Sequence, residues 1–190
     1  MTEPGEAMPG AARQGKGINQ IMNPDPYYNP DCDLFVGIDK GFRNPNVTLW
    51  IQPDRKWERV IVLFAHYQVL RTPDENAKIA LEIHKARGYG QLTGGWGDPS
   101  APDMLRAYSL AFGVDILGPR QSVHWGHETV KRWLQYSRST KGSSGLVFSR
   151  NCPRELLVEM SQYEKHEPGK GAHHGPDGLR YFFAGWQGGR

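Results

Sequence analysis

A chain of 190 residues has room for one domain around one large core, which excludes a multi-domain machine. Apolar residues at 38% and aromatics at 11% exclude wholesale disorder, and no apolar run approaches the roughly 20 residues of a membrane span. The formal charge of +3 hides an asymmetry: from Thr129 to Arg154 the chain carries Lys131, Arg132, Arg138, Lys141, Arg150 and Arg154 and no acid, while the remainder is net acidic.

Residues 1 to 30, rich in Gly, Pro, Asn, Gln and Ala without apolar periodicity, are expected as a flexible leader or interdomain linker, with the domain proper spanning 31–190. Leu34 to Asp39 is an apolar run ending in an acid and followed by Lys40-Gly41, the pattern of a buried strand that stops at a turn. Val47–Ile51 and Arg59–Leu70 are β-branched and aromatic, and the Pro53-Asp54 turn between them makes them antiparallel neighbours. Thr72-Pro73-Asp74-Glu75 supplies an N-cap, a first-turn proline and early carboxylates for a helix of about four turns ending at Gly88. Gly90 to Asp98 is poor in strand formers and leads into a helix from Asp103 to Phe112. A short apolar segment at 114–117, a helix from about Val123 to Tyr136, a strand at Leu146–Phe148 and a helix from Arg154 to about Tyr163 follow, and a last helix is expected after Gly175-Pro176. Strands that first pair as hairpins and then alternate with helices predict an α/β fold, a mixed central sheet flanked by helices.

Gly10 to Gly17 follows a phosphate-binding loop pattern until its last position, where Gly17 stands in place of the Ser or Thr that would bind Mg²⁺. No strand precedes it, so it is rejected as a nucleotide site. Three acids stand where catalytic acids are commonly placed: Asp39 ends the first strand, Asp98 closes the glycine-rich segment, and Asp177 opens the last helix. The ends of neighbouring parallel strands share one sheet edge, so Asp39 and Asp98 can converge one or two strand spacings apart. Gathered carboxylates need a cation, and two divalent metals about 3.5–4 Å apart are the usual reason for such a cluster in phosphodiester hydrolysis. Oxygen ligation favours Mg²⁺ or Mn²⁺. Each acid can equally cap a turn or a helix. His173 and His174 stand close to the third acid, as ligands, proton carriers or loop histidines. His124 and His127 lack nearby cysteines to complete a zinc site, and Cys152 reads as a small core residue. The basic stretch suits a polyanion such as nucleic acid, although a solvated basic face has the same composition.

The order Phe35-Val-Gly-Ile-Asp39, Gly97-Asp98-Pro-Ser-Ala-Pro102, Ser122-Val-His-Trp-Gly126, Glu155-Leu-Leu-Val-Glu159 with Tyr163, and His174-Gly-Pro-Asp177-Gly-Leu-Arg180-Tyr181 resembles the nuclease domain of the large terminase subunit of tailed bacteriophages, over residues 33–186. The ending is the most specific piece, similar to a His-x-x-Asp-Ala-Leu-Arg-Tyr pattern with Gly178 in place of alanine. The resemblance implies an RNase H-like fold and a Mg²⁺- or Mn²⁺-dependent endonuclease that cuts concatemeric double-stranded DNA with little sequence specificity. It implies Asp39, Asp98 and Asp177 as metal-binding catalytic acids with His174 beside them, and Lys131, Arg132, Arg138 and Lys141 on the DNA backbone. It also implies an ATPase domain, a small terminase subunit and a portal as partners, in the host cytoplasm. The chain has no room for the ATPase motor, so it is expected to be an excised domain or a split-gene product. Where the family often carries a further acid, this sequence has Lys170-Gly-Ala-His173, which implies weak binding of the second metal. The alternatives are another RNase H-like nuclease, such as a junction resolvase, or a non-catalytic module that holds DNA or docks to a portal.

Overall fold

The structure, a computed structural model, describes residues 25–56, 58–135, 144–163 and 173–188. Three strands come first, β1 (Phe35–Asp39), β2 (Asn46–Asp54) and β3 (Arg59–Gln68), paired antiparallel as a meander. The chain then alternates through α1 (Pro73–Ala86), β4 (Gly94–Gly97), α2 (Pro102–Phe112), β5 (Ile116–Leu117), α3 (Val123–Leu134), β6 (Leu146–Phe148), α4 (Arg154–Gln162) and α5 (His174–Trp186). β4 lies parallel to β1, β5 parallel to β4, and β6 parallel to β3 on the other side, giving the sheet order β5-β4-β1-β2-β3-β6. This is the expected mixed sheet, antiparallel in its first three strands and parallel outward from them.

Helices cover both faces, which is why every residue of β1 is buried. Phe35, Leu49 and Ile51 pack with Leu179, Phe182 and Phe183 of α5, while Val36, Ile38, Trp50 and Leu63 pack with Ala77, Ala80, Met104 and Tyr108 of α1 and α2. Alternation along β1 therefore turns Phe35, Gly37 and Asp39 toward α5. Several polar groups of the opposite face pair within it: Thr48 Oγ1 lies 2.7 Å from the Tyr108 hydroxyl, which donates to Asn46 Oδ1, and Trp50 Nε1 donates to His84 Nδ1 at 3.2 Å.

α1 begins as its sequence predicts. Thr72 Oγ1 accepts from the Glu75 amide, the Glu75 carboxylate accepts from the Thr72 amide, and Pro73 fills the first helical position. Two elements differ from the sequence reading. Gly94–Gly97 is a strand in spite of its composition, because a β-carbon at Gly95 would stand 2.5 Å from Val36 Cγ2 and 2.7 Å from Val36 O; close packing against β1 excludes the side chains that make a strand legible. α5 starts at His174, ahead of Gly175-Pro176, because the Gly175 amide donates to Glu159 Oε2 of α4 at 2.7 Å. That carboxylate stands in for a local cap, and Pro176 needs no acceptor in a first turn.

Of the residues expected as a leader, those described pack on the body: Asp25 Oδ2 accepts from Ser149 Oγ at 2.7 Å, and the Asn29 amide donates to Gln52 Oε1 at 2.8 Å. Cys152 is buried in the core, as expected. Among the described residues, no helix is long and apolar enough to cross a membrane.

Candidate active site

Parallel pairing of β1 with β4 sets Ile38 opposite Gly97. Asp39 at the end of β1 and Asp98 just beyond β4 therefore stand at one sheet edge on adjacent strands, which run about 4.8 Å apart. Both are buried, at 6% and 8% exposure. α5 meets β1 where Gly37 faces Gly178, with no side chain between them, so its first turn reaches the same edge. There His174 Nδ1 lies 2.8 Å from Asp39 Oδ2, and Asp177 follows about one turn later.

Each acid has its own partner. Asp98 Oδ1 accepts from the Ser100 amide at 2.8 Å and its hydroxyl at 2.7 Å, while Oδ2 lies 3.3 Å from Lys40 Nζ. Asp177 Oδ1 accepts from Arg180 Nε at 2.9 Å. Arg180 is itself buried and lies over the Tyr181 ring. Burial pushes Asp39 up to about 6, aided by the charges of Asp177 and Asp98 and opposed by the His174 hydrogen bond. Burial also pushes Asp98 upward, but the Ser100 hydrogen bonds and Lys40 outweigh it and hold the carboxyl below its ordinary value. The bond to Asp39 raises His174, against burial.

The three carboxylates offer oxygen donors of the kind a hard divalent cation takes, and a carboxyl raised by burial and by two neighbouring acids is short of positive charge. Among the described residues, no three His, Cys, Asp or Glu side chains yet stand close enough to share one ion. Lys40 and Arg180 occupy oxygens of Asp98 and Asp177 that such an ion would need.

No protein-family model and no curated protein sequence matches the chain. Solved structures do. The large terminase of the thermophilic bacteriophage D6E aligns over 86% of this chain and 43% of its own, with TM-score 0.63 and 17% identity. The nuclease domain of the P22 large terminase aligns over 83% of both chains, with TM-score 0.60 and 16% identity. The nuclease domain of the bacteriophage SPP1 large terminase, with bound Mn, covers 80% of this chain and 85% of its own, with TM-score 0.54 and 16% identity. The fold is that of phage large-terminase nuclease domains. Structures of the phage G20c terminase nuclease carry zinc and cobalt. The chain spans less than half the length of the D6E terminase.

Within this terminase-nuclease fold, Asp39, Asp98, Asp177 and His174 come to one edge. Lys131 and Arg132 sit in the last turn of α3, about 8 Å along the helix from Gly126, which packs on Arg180. Lys131 pairs with Glu128 at 3.3 Å, and Arg132 donates to Thr129 Oγ1 at 3.2 Å. Arg138 and Lys141 lie outside the described residues. His127 stacks on Tyr163 and shares a hydrogen bond with its hydroxyl.

Sequence reasoning assigned no role to Lys40 or Glu159. Lys40 follows Asp39 directly, yet it serves Asp98, which only the β1–β4 pairing reveals. Glu159 Oε2 accepts from Tyr67 at 3.0 Å as well as from the Gly175 amide, fixing the start of the helix that carries His174. Its sequence signals are its place in the Glu155–Glu159 piece of the resemblance and the Glu-x-x-x-Glu spacing on α4, neither of which points to an anchor for α5.

Proposed function

We propose that the chain is a divalent-metal-dependent endonuclease that cuts double-stranded DNA with little sequence preference, the nuclease part of a phage genome-packaging terminase. The placement of Asp39, Asp98 and Asp177 at one sheet edge, with the Asp39 carboxyl raised to about 6 chiefly by burial and further by the other two acids, carries this reading. The Mn bound to the SPP1 nuclease domain supports it. Asp39, Asp98 and Asp177 would hold Mg²⁺ or Mn²⁺, with His174 beside them. When bound, such ions supply a water of lowered pKa and neutralise charge on the departing oxygen.

The residues of this chain prepare that site. His174 fixes the Asp39 carboxylate and carries a proton beside it. Lys40 and Arg180 hold Asp98 and Asp177 in place and offset their charge. Glu159 anchors the first turn of α5. Lys131 and Arg132, with Arg138 and Lys141, would contact DNA phosphates, which position a duplex without reading its sequence. An ATPase motor, a small terminase subunit and a portal are the partners this reading expects, in the host cytoplasm.

Supercoiled plasmid incubated with Mn²⁺, Mg²⁺ or chelator tests the proposal: cutting requires the metal, and Asp39→Asn or Asp98→Asn abolishes it while the fold persists. Full activity of either variant overturns it. The ion pairs on Asp98 and Asp177 favour a second reading, a scaffold that holds DNA without cutting, which predicts no cleavage and no thermal shift with Mn²⁺.

A further inference from the structure

Beside the acidic edge lies a cleft of about 520 Å³ between the β1–β2 turn, the start of α1 and the start of α2. It shares a wall with the candidate active site, because Lys40 and Ser100, which bind Asp98, also line it. Its volume falls within the range of small-molecule sites.

Three features of this cleft bear on a ligand. Arg43 and Arg71 line it, are exposed, and make no ion pair among the described residues. Phe42, also in its wall, is 57% exposed, which leaves much of its ring open to the cleft. Asn76 is 4% exposed, lines the wall, and has an Oδ1 that accepts no hydrogen bond. A buried amide oxygen without a donor is destabilising by about 1–3 kcal/mol.

The backbone holds these groups together. Leu70 adopts φ 56°, the left-handed region that a branched residue rarely enters, and its amide donates to Phe42 O at 2.7 Å. That bond ties the β1–β2 turn to the end of β3, so Phe42 and Arg71 are fixed on one cleft. α2 opens onto the same space with no side chain capping its first turn. Asp103, the cleft's carboxylate, sits in that turn.

Cations beside an exposed aromatic ring are the components of single-strand recognition: arginines take phosphates, and the ring stacks on a base. A base inside a duplex has both faces covered by its neighbours, so the ring can act only on a base that is out of the stack. We propose that this cleft takes an unpaired nucleotide of the DNA strand passing the acidic edge, with Phe42 against the base and Arg43 and Arg71 on its phosphates. The identity of that strand rests on the reading of the acids as a DNA-cutting site.

Fluorescence anisotropy in chelator, where nothing is cut, tests this with a blunt duplex and the same duplex carrying an unpaired tail. The full chain is expected to bind the tailed duplex about tenfold more tightly. Phe42→Ala, and separately Arg43→Ala with Arg71→Ala, bring that ratio close to one, while Phe42→Tyr keeps it; all are surface changes, and circular dichroism confirms the fold. A wild-type ratio near one, or a ratio unchanged in either variant, overturns the proposal. Plasmid cutting with Mn²⁺ is measured in parallel. A tail preference without cutting would sink the nuclease reading and leave the cleft; cutting with a ratio of one would sink the cleft alone.

Discussion

Gly37 of β1 and Gly178 of α5 meet backbone to backbone: a β-carbon on Gly37 would stand 2.5 Å from Gly178 O. Real β-carbons essentially never approach so closely, so the pair fixes how near α5 sits to the sheet. That closeness lets His174 reach Asp39 from a helix that begins 135 residues later.

Gly37→Ala is therefore expected to push α5 off β1 and destabilise the fold by about 1–3 kcal/mol, the usual cost of overpacking. Cutting falls with it, because His174 and Asp177 move away from Asp39. Gly178→Ala is milder, since its added methyl meets the flexible end of Leu49 at 3.1 Å and Gly37 O at 3.5 Å. Urea midpoints of the two variants check this; equal losses would show that the Gly37 contact is not the tight one.

Asp39→Asn is expected to stabilise the metal-free protein while abolishing cutting. A carboxyl held at about 6 in the fold, against 3.8 when free, binds protons more tightly folded than unfolded. Its contribution is full below 3.8 and lost as pH rises through about 6, so at pH 7.5 the ionised form costs about 3 kcal/mol. Asparagine removes that cost and forfeits part of the His174 bond. A melting temperature in chelator that drops below wild type would contradict this reading of the site as short of positive charge. The variant should also lose most of any thermal shift produced by Mn²⁺.

Much of this was legible because the signals were local. The Thr72–Glu75 box, the β-branched runs of β2 and β3, and an acid ending β1 each depend on residues near one another in the chain. β4 was not legible, because its glycines answer to Val36 in a neighbouring strand. The start of α5 was not legible either, because its cap is a carboxylate on another helix. The acids could be placed at strand and helix ends from sequence, but the partners that hold them, Lys40 on Asp98 and Arg180 on Asp177, follow from the packed structure.

Glu159→Ala leaves the Gly175 amide and the Tyr67 hydroxyl without their acceptor in a half-buried place. The expected loss is about 1–3 kcal/mol, with a larger relative fall in cutting than Tyr67→Phe, which removes one donor and leaves the α5 anchor intact. Stability from chemical denaturation and Mn²⁺-dependent cutting separate the two effects. A Glu159→Ala protein that cuts like wild type would show that His174 does not depend on this anchor.

His84 supplies the fold's response to acid. It is 7% exposed; its Nδ1 accepts from Trp50 Nε1, which leaves the proton on Nε2, and burial lowers its pKa from 6.5. His66 is lowered by burial in the same way. For a histidine whose folded pKa is depressed, the unfolded chain binds the extra proton first. Stability is then complete above about 6.5 and lost as pH falls through the folded value. Asp39 and Glu159, both raised, act in the opposite direction, and so does His174 while Asp39 is ionised. The histidine effect is therefore cleanest in the Asp39→Asn background. There, urea stability measured in chelator should fall from pH 7 to pH 5, and His84→Gln, whose amide oxygen can still accept from Trp50, should flatten the slope. A slope unchanged by His84→Gln would place the acid sensitivity elsewhere in the fold.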